Sequence, residues 1–256
     1  MTTHHPTAPD LTGRTALVTG ATRGIGLAVA RKLTACGATV LLNYAHDEAR
    51  AAEAVRSLAG LPGTAAAVRA DITDPAALDG LFDEAERRLG GLDIFVHNTS
   101  YFRPSATLGT APDTVDRSLA VALRPLLAGA PRLAELMAGR PGRIVAISSA
   151  GARRVVPRYV SAGIAKAALE SLVRYLAVEF AGRGVAVNAV SAAKVDKGDG
   201  SVPAEVAKAI VGRTPGGRLT TPEDLADAVA LLCTDEAAWL QGQVLVTDGG
   251  LGLVAG

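Results

Sequence analysis

The sequence predicts an α/β protein built on a doubly wound parallel sheet with helices on both faces, and three observations carry that expectation. Short apolar runs alternate with helical patterns along nearly the whole chain, and continuous apolar runs of this kind are strands covered on both faces. The first run, Thr15 to Val18, leads into the glycine-rich turn Thr19-Gly20-Ala21-Thr22-Arg23-Gly24-Ile25-Gly26 and from there directly into a helical pattern. With 256 residues, 49% of them hydrophobic, the chain is long enough for one large core.

After the first strand, strands are expected at Thr39 to Leu42, Ala65 to Arg69, Ile94 to Val96, Arg143 to Ile147, Val185 to Val190 and Val244 to Val246. Helices are expected at Ile25 to Leu33, Glu48 to Leu58, Pro75 to Leu89, Thr114 to Met137, Arg158 to Phe180 and Pro222 to Cys233. The last begins legibly, with Thr221 as N-cap, Pro222 at the first helical position and Glu223 and Asp224 in the first turn. The helix Thr114 to Met137 contains Pro125, Gly129 and Pro131. An interior proline removes a hydrogen bond at about 3 kcal/mol, so a kink or break is expected there. Residues 194 to 217, rich in Gly and Pro around a short helical piece Ala204 to Val211, form one long irregular stretch of the kind that serves as a substrate lid. Residues 1 to 10 are polar and are expected to form a flexible tail, leaving residues 11 to 256 as one domain.

Several function classes find no support. The net charge is +1, which gives a nucleic-acid partner or a membrane surface no electrostatic basis. No apolar run reaches the roughly 18 residues that span a bilayer, and the start of the chain has no signal-peptide pattern. Cys36 and Cys233 stand far apart without CxxC pairing and are expected as small core groups in a reducing, cytoplasmic compartment. Nothing points to a metal.

The glycine turn is a phosphate cradle. A strand feeding a tight glycine turn brings backbone close to a diphosphate, and the free N–H groups of the following helix favour its charge, which is the Rossmann-type arrangement. Gly20, Gly24, Ile25 and Gly26 carry it. The position that would hold an acid for an unphosphorylated adenosine ribose is Asn43, followed by Tyr44, and Arg23 within the turn is placed to meet a 2′-phosphate. NADPH is therefore the expected cofactor. Asp71, after the third strand, is open to two readings, an acceptor for the adenine amine or an N-cap for the turn before Pro75.

Tyr159 and Lys166 lie on one expected helix. A separation of seven is two turns less about 20°, so both share a face. A lysine beside a bound nicotinamide can hold the ribose hydroxyls and, through its charge, make a tyrosine a usable acid. Ser149, just after the strand Arg143 to Ile147, can donate to a substrate oxygen.

These elements together resemble the short-chain dehydrogenase/reductase family over nearly the whole chain. The matching stretches are Thr19-Gly20-x3-Gly24-Ile25-Gly26, Asn98, Ser149, the Tyr159/Lys166 helix, Asn188-Ala189-Val190-Ser191 and the closing Gly242-Gln243 to Asp248-Gly249-Gly250. The resemblance adds Thr22, Ile72, Asn98 and Val195 to the cofactor contacts and implies a homotetramer or homodimer built on the two long helices. The family's usual Tyr-x3-Lys would place a tyrosine at 162, where this chain has Ala162. Tyr159-x6-Lys166 looks instead like the NADPH-dependent branch of the bacterial enoyl-acyl-carrier-protein reductases. A shift has a physical reason: a ketone oxygen lies about 1.2 Å from the carbon that receives hydride, whereas in an α,β-unsaturated thioester it lies roughly 3 Å away. An acid moved by nearly one helical turn suits the farther oxygen.

Other positions depart from the family. The helix asparagine of the classical proton relay aligns with Ala122, the fourth strand ends in His97-Asn98-Thr99 before a loop with Tyr101 and Phe102, and Ala192, Ala193 and Lys197 replace the residues that usually meet the nicotinamide. His97 is read as an added acid or as a strand-end residue satisfied by backbone. The function these features imply is NADPH-dependent reduction of the C=C of an enoyl thioester, carrier-bound or small, or of a related α,β-unsaturated carbonyl in a specialised biosynthetic pathway. A carbonyl reductase that tailors a natural-product intermediate is the alternative, and a cofactor-binding protein without turnover is the second.

Overall fold

The structure, a computed structural model, describes residues 9–254, so most of the expected N-terminal tail lies outside the described residues. Seven strands form one sheet in the order β3-β2-β1-β4-β5-β6-β7. They are β1 Thr15–Val18, β2 Thr39–Tyr44, β3 Thr64–Arg69, β4 Ile94–His97, β5 Arg143–Ile147, β6 Ala186–Ser191 and β7 Val244–Val246. Every neighbouring pair is parallel. The intervening helices are α1 Gly24–Ala35, α2 Glu48–Arg56, α3 Pro75–Leu89, α4 Pro112–Leu136, α5 Val160–Ala181, α6 Ala204–Val211 and α7 Pro222–Leu232.

Two apolar layers hold them. On one face α1, α2 and α7 pack on Ala16, Val18, Ile94 and Val96. On the other α3, α4 and α5 pack on Leu17, Phe95 and Ile144. Adjacent residues of β1 thus enter opposite cores, as the two-residue period of a strand requires. The chain winds outward from β1 to β2 and β3, then crosses to β4 on its other side. That reversal opens a crevice beyond the C-terminal ends of β1 and β4, the place where open α/β sheets bind ligands.

Two expectations are corrected. Of the kink or break expected in α4, the break is absent, since the helix is one element from Pro112 to Leu136 through Pro125 and Pro131. Gly129 belongs to its packing, since a Cβ there would meet the Phe82 ring of α3 at 2.8 Å. Helix α5 begins at Val160, not at Arg158. Arg158 has φ of 61°, a left-handed value that is costly for a side-chain-bearing residue, and it turns the chain into the helix.

Candidate active site

The glycine turn is built by close approach. Gly20 and Gly24 have φ of 60° and 52°. A Cβ on Gly26 would stand 2.4 Å from the Gly20 carbonyl oxygen and 2.6 Å from Asn98 Nδ2. Asn98 Nδ2 donates to the carbonyl oxygens of Thr19 and Gly20 at 3.0 and 3.1 Å, locking the turn to the end of β4. Arg23 precedes α1 in extended conformation, and no side chain caps that helix. The N–H groups of its first turn therefore face the crevice without a side-chain partner. Thr99 Oγ1 is buried beside Gly20 without a hydrogen-bond partner. A side-chain-free cradle, unpaired donors and an orphaned hydroxyl fit the diphosphate of a dinucleotide.

Around this turn the expected residues take different parts. Thr22, Gly24 and Ile25 are partly exposed and Arg23 is exposed. Asn43 is buried; its Oδ1 accepts from the Gly20 N–H at 3.4 Å and its Nδ2 donates to the Ala70 oxygen at 3.0 Å. It braces the turn from beneath. Tyr44 is half-buried at the end of β2. Asp71 Oδ1 accepts from the N–H and hydroxyl of Thr73, bonds that hold its carboxyl below the usual range, while Asp74 is the residue that caps α3. The turn before Pro75 is thus capped by Asp71, as one of its two readings had it, and the helix after it by Asp74. Ile72 is buried beside it, and Val195 pairs with Thr220 at the foot of the irregular segment.

A second group gathers beyond β5. Ser149, half-buried, caps the short turn Ala150–Ala152 by accepting from the Gly151 N–H at 3.2 Å. Lys166 is buried, and its Nζ donates to the carbonyl oxygen of Ile147 at 2.6 Å. Loss of solvent pulls its ammonium down to about 8. Tyr159 is the N-cap of α5, with φ of −114° and ψ of 14°, so it stands at the head of the helix that carries Lys166 and not on its first turn. Its ring lies over Gly151, where a Cβ would be 2.6 Å from Cε1 and 3.6 Å from Ser149 Oγ. Phe102, with ring centroids 5.0 Å apart, and Gly163, where a Cβ would be 3.7 Å from Cδ1, also flank it. The Ser105 N–H donates to the Arg158 oxygen at 3.1 Å, tying the Tyr101–Phe102 loop to the tyrosine.

Two residues extend the expected set. Glu170, one turn beyond Lys166 and buried, accepts from Ser148 Oγ at 2.7 Å and from Arg153 Nε at 2.8 Å, clamping both ends of the segment that carries Ser149. The signal was an acid one turn after Lys166 on the same helix, which reads as a solvated face. His97 is wholly buried, with Nε2 3.0 Å from the Ala122 oxygen and Nδ1 3.5 Å from Thr19 Oγ1. Burial, with the charge of Lys166 added, pulls it down to about 3, so it is neutral. Of its two readings, the strand-end residue satisfied by backbone fits this geometry.

A family model described as enoyl-(acyl carrier protein) reductase matches residues 20–252. The chain is a short-chain dehydrogenase/reductase. It is 41% identical over 249 residues to 1-cyclohexenylcarbonyl-CoA reductase of Streptomyces collinus, spanning 93% of this chain and 87% of that one. It is 34% identical to 3beta-hydroxysteroid dehydrogenase 1 of Eggerthella lenta, spanning 96% and 97%. Among solved structures, a short-chain dehydrogenase from Burkholderia cenocepacia J2315 in complex with NADP superposes with a TM-score of 0.87 at 33% identity, over 94% of this chain and 99% of that one. As a short-chain dehydrogenase/reductase the protein is an oxidoreductase, and no helix among the described residues is long and apolar enough to cross a membrane.

Proposed function

We propose that the chain uses NADPH to reduce the conjugated C=C of an enoyl thioester. The observation that carries this reading is the seat of Tyr159: it caps α5 between Gly151 and Phe102, while the position one turn nearer Lys166 is the buried Ala162. An acid set back in this way suits an oxygen remote from the carbon being reduced. The loss of the classical relay agrees with it, because the backbone oxygen of Ala122 is covered by His97. Relatedness to a protein named 1-cyclohexenylcarbonyl-CoA reductase adds a ring-bearing coenzyme A thioester to the substrates to try first.

The glycine turn would hold NADPH, which when bound would supply the hydride for the β-carbon. Tyr159 gives its phenolic proton to the enolate oxygen, and Ser149 donates a hydrogen bond to the same oxygen. Lys166 holds the cofactor ribose with the ammonium hydrogens that Ile147 does not take. NADPH is favoured over NADH because no acid ends β2 and Arg23 is exposed on the turn. A cytoplasmic location is inferred from the two free, buried cysteines. Pairing into a dimer or tetramer through α4 and α5 is inferred from Leu127, Tyr175 and Val178, apolar and exposed on those helices, and light scattering tests it.

The test of function is oxidation of NADPH with 1-cyclohexenylcarbonyl-CoA and crotonyl-CoA, beside acetoacetyl-CoA and beside Tyr159→Phe. Turnover of the enoyl compounds, lost in the variant, is expected. Turnover of the keto compound alone would establish the carbonyl-reductase alternative. Binding of NADPH with no turnover of any thioester or free enone would leave a cofactor-binding protein.

A further inference from the structure

Lys197 stands in the irregular segment between β6 and α6, far in sequence from the glycine turn, at the position where the family resemblance places a threonine that meets the nicotinamide. In the fold it lies across that turn. The atoms nearest the open side of Gly24, the first residue of α1, are Lys197 Cδ and Cε, 3.7 and 4.0 Å from where a Cβ would sit. The stem of an exposed lysine thus covers the uncapped N-terminus of α1.

The backbone that presents it is held on both sides. Val195 pairs with Thr220, and the Asp196 N–H donates to the Thr220 oxygen at 2.8 Å. The Gly198 N–H donates to Asp196 Oδ1 at 2.9 Å, closing a turn around Lys197. The flanking carboxylates accept from backbone, Asp196 from Gly198 and Asp199 from the Ser201 N–H at 3.0 Å; Asp199 feels the charge of Lys197 but makes no ion pair with it. The ammonium is left available to a ligand at the helix terminus. None of the residues of α6 is buried, so the segment beyond this anchor rests lightly on the body.

We propose that Lys197 binds the diphosphate of the dinucleotide, adding a point charge to the helix terminus and tying the lid to the presence of cofactor. The proposal rests on the reading that the glycine turn holds a nicotinamide dinucleotide. A diphosphate carries two negative charges that the partial charge of one helix terminus offsets only in part, and a lysine is a suitable phosphate ligand of the point-charge kind. A diphosphate also occurs in coenzyme A, so the test separates the two sources.

Dissociation constants for NADPH, NADH and crotonyl-CoA are measured by calorimetry for the wild type, Lys197→Gln, Lys197→Arg and Arg23→Gln, at low and moderate salt. Lys197→Gln is expected to weaken NADPH and NADH by the same factor, about tenfold, as for loss of one charge-assisted hydrogen bond. Its affinity should depend less on salt than that of the wild type, and Lys197→Arg should recover most of the loss. Arg23→Gln should weaken NADPH more than NADH. Unchanged cofactor affinity in Lys197→Gln, whether or not crotonyl-CoA weakens, overturns the proposal. A loss confined to NADPH also overturns it, by placing the ammonium at the 2′-phosphate. A wild type that binds neither dinucleotide overturns the cofactor reading itself, a result distinct from a wild type that binds and a variant that matches it.

Discussion

His97 Nε2 donates to the carbonyl oxygen of Ala122 at 3.0 Å, so the imidazole meets α4 beside Val121, the residue whose carbonyl loses its helical partner at Pro125. Proline at 125 has no N–H for the carbonyl of Val121, and its ring disturbs that turn. The imidazole enters from the end of β4 and makes polar contact with both the Val121 and Ala122 carbonyls. With Nε2 as donor, Nδ1 is the acceptor facing Thr19 Oγ1, whose oxygen already receives the N–H groups of Asn98 and Thr99. One neutral histidine therefore joins the cofactor turn to the helix.

The first prediction is a pH dependence. In the unfolded chain His97 has its ordinary value of 6.5 and in the fold about 3. Between these values the unfolded state binds more protons, so stability is full above 6.5 and is lost as pH falls toward 3. The loss from this group between pH 6.5 and 4.5 should be about 2 kcal/mol. Urea unfolding at both pH values, compared with His97→Gln, measures it; an equal slope in the variant would assign the loss elsewhere.

The same histidine shows where the sequence stopped being informative. The strand positions and the glycine turn rest on local patterns, apolar runs and fixed spacings, and these were legible. Continuity through Pro125 was not, and the imidazole that meets α4 there comes from another element, the end of β4. Nor was the start of α5, which depends on a left-handed Arg158 that no periodicity reveals. Glu170 was hidden for a similar reason: an acid on a helix reads as solvated until Ser148 and Arg153 are seen against it.

Gly26→Ala should abolish tight dinucleotide binding. Its methyl would meet the Gly20 backbone oxygen at 2.4 Å and Asn98 Nδ2 at 2.6 Å, and the backbone oxygen cannot move without opening the turn. Overpacking of this kind costs about 1–3 kcal/mol. Calorimetric titration with NADPH should give an affinity at least tenfold weaker, while circular dichroism retains the wild-type spectrum. Wild-type affinity would mean that the turn relaxes freely.

Lys166→Met should separate stability from activity. The ammonium is buried and donates to the Ile147 carbonyl oxygen, and burial lowers it from 10.5 to about 8. Between those values the unfolded chain again binds more protons. The burden on the fold is therefore full below pH 8 and fades as pH rises to 10.5, by about 3 kcal/mol in all. The methionine variant should lack that rise, equal or exceed the wild type in stability at pH 7, and lose most of its turnover. A variant that unfolds more easily at pH 7 would show that the Ile147 bond outweighs the burial.

Gly151→Ala tests whether the position of Tyr159 governs the chemistry. A methyl at 151 would stand 2.5 Å from Tyr159 Cδ1, and Phe102 also flanks the ring, so the phenol must shift relative to Ser149. Displacements of about 1 Å at a reacting group lower rates by about 100-fold. Because the glycine turn and Lys166 are untouched, NADPH affinity should stay at the wild-type value while kcat falls. Phe102→Ala in the same chain gives the ring somewhere to go. The double variant should then recover part of the kcat lost in Gly151→Ala, a coupling expected only between residues that press on the same group. If the two losses simply add, the ring is not held between them, and the placement of the acid must depend on Arg158 and the head of α5 alone.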